Sequence, residues 1–96
     1  MSQPSPKGRG AVIGRLVTAP AVDTTPGGGH VATLRVTVRD VEEYVLIAFG
    51  RLVEGLDMLD AGDLIYAEGC WQARHGAPPE LVVDVLTPLA RNRSSG

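Results

Sequence analysis

Residues 44–69 read YVLIAFGRLVEGLDMLDAGDLIYAEG. The first six are apolar on both parities, Tyr44, Leu46 and Ala48 against Val45, Ile47 and Phe49. Such a run fits a strand that is central and covered, or one that lies at an interface. From residue 51 to 60 the period changes, with Leu52, Val53, Leu56 and Leu59 at helical spacing. Gly55 inside that stretch predicts a short helix held by packing rather than propensity, and Gly62 stands where a C-terminal cap is expected. Alternation then resumes over 64–74, with Leu64, Tyr66, Glu68, Cys70, Gln72 and Arg74 on one parity and Ile65, Ala67, Gly69, Trp71 and Ala73 on the other. The central third of the chain is therefore strand, helix, strand.

The flanks add only strands. Residues 31–39 alternate, with Ala32, Leu34, Val36 and Val38 on one side and Thr33, Arg35, Thr37 and Arg39 on the other. One face is core and the opposite face is wet and basic. Residues 40–43, DVEE, read as a short acidic turn. A first strand is expected over 11–18, and Gly14 in its middle marks a bend or a close backbone approach. Pro20 ends it, and TPGGGH at 25–30 is a turn. HGAPP at 75–79 turns the chain again before a last strand over 80–87, closed by Pro88. Three strands, one short helix and two strands is the element order of an all-β, five-stranded OB-fold Greek-key barrel with its helix between strands three and four. A single domain over 10–90 is expected, with a flexible arm at 1–9 and a flexible end at 91–96.

Composition agrees. The chain has 96 residues, 44% hydrophobic but only 4% aromatic, with 12 Gly and 7 Pro, which suits a turn-rich β domain and not a helical bundle. No apolar run reaches the ~18 residues of a membrane span, and the start, MSQPSPKGRG, has no signal core. A cytoplasmic protein with no membrane partner is expected. Cys70 is the only cysteine, so neither an internal disulfide nor a cysteine-pair zinc site can form. The net charge of −2 is uneven. Residues 1–39 carry Lys7, Arg9, Arg15, Arg35 and Arg39 against Asp23, for +4; residues 40–68 set Arg51 against eight acids, for −7. That balance argues against an indiscriminate polyanion binder while leaving room for a basic strip on one face.

Chemistry-bearing motifs are few. The PGGG at 26–29 lacks the Lys-Ser or Lys-Thr of a phosphate loop and leads into a strand rather than a helix. Cys70 and His75 lie on opposite parities, so they do not form a nucleophile pair. No metal-ligand spacing is present. The chain reads as a non-enzyme, with no cofactor and no small-molecule substrate.

In Ile13-Gly14-Arg15-Leu16, Thr18-Ala19-Pro20, Val22, the turn at 26–29, Val31-Ala32-Thr33-Leu34, Ala48-Phe49-Gly50-Arg51-Leu52-Val53-Glu54, Ala61-Gly62-Asp63 and Leu64-Ile65-Tyr66-Ala67-Glu68-Gly69, the chain resembles the bacterial single-stranded DNA-binding proteins of the homotetrameric OB type. The resemblance spans about residues 11–88 and describes a shortened member. The family's long basic and aromatic excursion between strands two and three is here only 40–43. Glu43 stands where the family has a stacking tryptophan, and Gly76 where it has another. The family's acidic tail has no counterpart. A compact, dimeric primosomal replication protein is the nearest variant.

The resemblance implies sequence-tolerant binding of single-stranded DNA in replication, recombination or repair, by a homotetramer or homodimer. Such a groove needs flat side chains for stacking and cations along the phosphates. The expected DNA-binding set is Arg15, Arg35, Arg39, Phe49, Arg51, Trp71 and Arg74, with Lys7 and Arg9 as a basic arm. Tyr44 and Tyr66 fall at subunit contacts by the same resemblance. The competing expectation is an OB-fold interaction module in which the lost aromatics and the acidic middle have ended DNA binding.

Overall fold

The structure, a computed structural model, describes residues 8–74 and 76–91. It is mostly β: β1 (Gly8–Leu16), β2 (Ala21–Thr24), β3 (His30–Val38), β4 (Glu42–Phe49), a 3₁₀ helix (Gly50–Met58), β5 (Leu64–Arg74) and β6 (Ala77–Ala90). Among the described residues no helix is long and apolar enough to cross a membrane.

The strand pairings close on themselves. β1 pairs with β5, β5 with β6, β6 with β4, β4 with β3, and β3 returns to β1, while β2 is added outside β3. Every pairing is antiparallel except β4–β6, where Leu46 stands opposite Leu81. β1 serves two partners by crossing over at Arg15, which is opposite Leu64 on β5 and Thr37 on β3. Gly14 permits the crossover, because a Cβ there would come within 2.6 Å of the Thr37 carbonyl oxygen.

The alternation read in the sequence becomes the inside of this ring. Val12 and Leu16, Ala32, Leu34 and Val36, Leu46 and Ala48, Ile65 and Ala67, Leu81 and Val83 form one buried cluster, closed at one end by Val53, Leu56 and Leu59. Leu34, Leu46, Ile65 and Leu81 are its largest fully buried side chains. Each such residue is worth about 1.5–3 kcal/mol relative to exposure.

Several boundaries depart from expectation, each for a local reason. β1 begins at Gly8, so Gly8 and Arg9 belong to the sheet and not to an arm, and Gly8 is opposite Trp71. β2 was not expected, since all four of its residues are exposed and leave no apolar parity to read. β3 stops at Val38, and Arg39 and Asp40 both take positive φ, 56° and 57°, in the turn to β4. Glu42 and Glu43 then belong to β4 rather than to an acidic turn. The helix is 3₁₀, and Gly62 does not cap it; Leu59 ends it, with its N–H donating to the Leu56 carbonyl at 3.0 Å. No side chain caps its start and two glycines lie within it, so nothing local favours the α form. Gly62 instead donates to the Leu16 carbonyl at 2.8 Å, tying the helix exit to β1. β6 takes in Pro78, Pro79 and Pro88; Pro88 and the Arg74–Ala77 end of the hairpin both lie at register shifts against β5, where the ladder is already broken.

Candidate nucleic-acid interface

The outward parity of β3 and β4 forms one surface. Across the pair, Val31 is opposite Phe49, Thr33 opposite Ile47, Arg35 opposite Val45 and Thr37 opposite Glu43. β2 extends it on one side through Asp23 and Ala21, and β6 on the other through Glu80 and Val82. Phe49 is 50% exposed, an unusual placement for a large ring unless something covers or contacts it. Val45 and Ile47 are half-buried between Phe49 and Glu43. At the far end, Glu43, Val45, Ala77, Pro78 and Glu80 line a groove of ≈ 300 Å³.

Of the seven expected residues, this surface gathers two, Arg35 and Phe49. Their pairs lie four residues apart on each strand, a spacing of roughly 13 Å along the ladder. Arg51 follows Phe49 by two residues, exposed in the first turn of the 3₁₀ helix. Arg15 shares the outward row with Thr37 and Glu43, but its guanidinium donates to the Gly62 carbonyl at 3.0 Å and so braces the helix exit. Arg39 is not on the wet face of a strand; the turn removes it from the alternation that put it there. Arg74 holds the end of β5 opposite Ala77, and its side chain lies outside the described residues. Lys7 lies outside them too.

Trp71 lies apart from the Phe49 surface. It belongs to the inward parity, half-buried against the core. Its ring centroid is 5.7 Å from that of Tyr44, with the planes tilted at 53°. The indole lies over Gly10, where a Cβ would fall 2.1 Å from Nε1. Trp71 and Tyr44 thus plug the end of the ring away from the helix, and Trp71 does not extend the Phe49 surface. Burial pushes the Tyr44 hydroxyl up from its ordinary pKa, and Glu42, whose carboxylate accepts its hydrogen bond at 3.2 Å, adds to the shift.

Electrostatics on the surface are not those of a bare cationic strip. Arg35 donates from Nε to Glu43 Oε2 at 2.7 Å, and its Nη2 lies 2.5 Å from the same oxygen in an ion pair. Sequence reading counted both residues and missed the pairing, because it placed Glu43 in a turn.

Arg9 was missed in a different way. On the outward side of β1 it grips Asp84 on β6 with both nitrogens, at 2.7 and 3.0 Å, and reaches Glu68 on β5 at 3.4 Å. Hydrogen bonds donated to Asp84 and then to Glu68 raise the pKa of Arg9, and the bond from Arg9 holds the Asp84 carboxyl below its ordinary range. The signal was present: the outward parity Arg9, Ala11, Ile13, Arg15 runs on without a break. Among the described residues no group of three or more His, Cys, Asp or Glu is placed to hold a metal ion. No protein-family model matches the chain, and no curated protein matches it.

Proposed function

We propose that the chain is an OB-fold protein that binds single-stranded DNA, with little sequence preference, on the outward face of β3 and β4. The OB reading is supported by the ring order, by the parallel β4–β6 pair and by a helix inserted between β4 and β5. The observation that carries the function is Phe49. A half-exposed ring stands on the same outward surface as Arg35, next in sequence to the helix that carries Arg51. A base stacked on Phe49 contributes ~1–3 kcal/mol, and the arginines take the flanking phosphates. One such surface is weak, so the reading includes self-association, which multiplies the contacts.

A second reading, an interaction module with little DNA binding, is favoured by the Arg35–Glu43 pair and by the inward turn of Trp71. Fluorescence anisotropy of labelled oligo(dT) separates the two. DNA binding predicts saturation at about 50 mM salt and a log–log salt slope near −2 for three phosphate contacts. A flat titration at that salt leaves only the interaction module.

A further inference from the structure

We propose that Glu43 is a resident competitor for the phosphate site at Arg35, so that this one carboxylate sets how strongly the β3–β4 surface takes a polyanion. The inference rests on the reading of that surface as a phosphate-binding one. Arg35 is the one arginine among the described residues that projects from the middle of the β3 outward row, and its guanidinium is already turned along the sheet to Glu43. The two are diagonal neighbours: Arg35 is opposite Val45 and Glu43 is opposite Thr37. Diagonal positions lie within reach of long side chains, and here the reach is closed by two contacts to one oxygen.

A phosphate bound at the Nε/Nη2 edge of Arg35 takes the position that Glu43 Oε2 holds. Both side chains are solvent-accessible, 54% and 40%, so the pair is weakly held and can be displaced. Displacement still exchanges one anion for another at the guanidinium. The phosphate therefore gains less than it would at an unpaired arginine, and the released carboxylate remains beside it on the groove that Glu43 and Glu80 line. The arrangement admits a polyanion whose neighbouring contacts hold it in place and disfavours a lone phosphate or a mononucleotide.

The test measures oligo(dT) affinity across a salt series for the native chain, Glu43→Gln, Arg35→Ala, the double variant, and Asp57→Asn as an equal change of charge on the helix. Circular dichroism confirms that each is folded. Glu43→Gln is expected to bind roughly two- to fivefold tighter, with a salt slope steeper by about 0.7. The double variant is expected to bind no better than Arg35→Ala alone, and Asp57→Asn to match the native chain. Native binding with no gain in Glu43→Gln overturns the inference and leaves the DNA reading intact, as does a gain that survives in the double variant. If neither the native chain nor Glu43→Gln binds, the DNA reading itself fails.

Discussion

Phe49 and Trp71 separate what parity can reveal from what it cannot. Parity grouped Phe49 with Val45 and Ile47, the family resemblance turned that row outward, and Phe49 is half-exposed there. Parity set Trp71 with Ile65 and Ala67, while a groove's need for flat side chains put it in the expected DNA-binding set; the indole packs over Gly10 and against the core. The two rings give a direct comparison. Phe49→Ala is expected to weaken oligo(dT) binding about tenfold without lowering the denaturation midpoint. Phe49→Trp, made with Trp71→Phe, is expected to be quenched by oligo(dT), whereas native Trp71 emission changes little. Strong quenching of native Trp71 would put the stacking site at the other end of the ring. Arg9 provides a pH signature at the same scale. Its bond lowers the Asp84 pKa, so the pair's contribution is present above the ordinary carboxylate range and is lost as pH falls through the lowered value, below about 4. Because Gly8 and Gly10 flank Arg9 against Trp71, loosening of that strand end is expected as a red shift of Trp71 emission under acid. Asp84→Asn should show the shift already at neutral pH; emission unchanged in that variant separates the pair from the docking of β1.

At the scale of elements, the legible pieces were those with an apolar parity. β3, β4 and β5 follow from their alternation and the ring core follows from them, but β2 has no buried residue to announce it. Prolines misled at β6, where they read as strand ends and are in fact tolerated at ladder irregularities. The β3–β4 connection hid its geometry most fully, since Arg39 and Asp40 adopt positive φ without a glycine. The Val41 N–H closes that turn on the Val38 carbonyl at 3.1 Å. Hairpin turns with two positive φ angles favour glycine at the second position. Asp40→Gly is therefore expected to stabilise the fold by about 0.5–1 kcal/mol, and Asp40→Val, β-branched in the left-handed region, to cost about 1–2 kcal/mol. Urea denaturation midpoints measure both, and equal midpoints for the two variants would contradict the turn geometry.

For the whole molecule, the ring leaves two outward surfaces of different character. The β3–β4 surface mixes Phe49 and half-buried aliphatics with the Arg35–Glu43 pair. On the opposite flank, β1, β5 and β6 expose Ile13, Val85 and Leu89 around the half-buried Tyr66, whose hydroxyl donates to Glu68 at 3.3 Å. Ile13 stands opposite Tyr66, and Glu68 opposite Val85, so the apolar positions border the Arg9–Glu68–Asp84 network. A partly apolar flank with its charges already satisfied suits association of copies better than contact with a polyanion. The charge distribution points the same way, because on the proposed DNA surface Arg35 is already paired and, among the described residues, only Arg51 stands beside it, so several copies are needed to bind appreciably. Ile13→Glu, at a position 53% exposed, does not disturb the core but sets a charge in the middle of that flank. Light scattering is expected to show the native chain as a dimer or tetramer and Ile13→Glu as a monomer with an unchanged circular dichroism spectrum. Oligo(dT) affinity should fall with it by an order of magnitude or more, since each strand then meets a single surface. A native chain that scatters as a monomer and still binds tightly would place the whole affinity on one β3–β4 face.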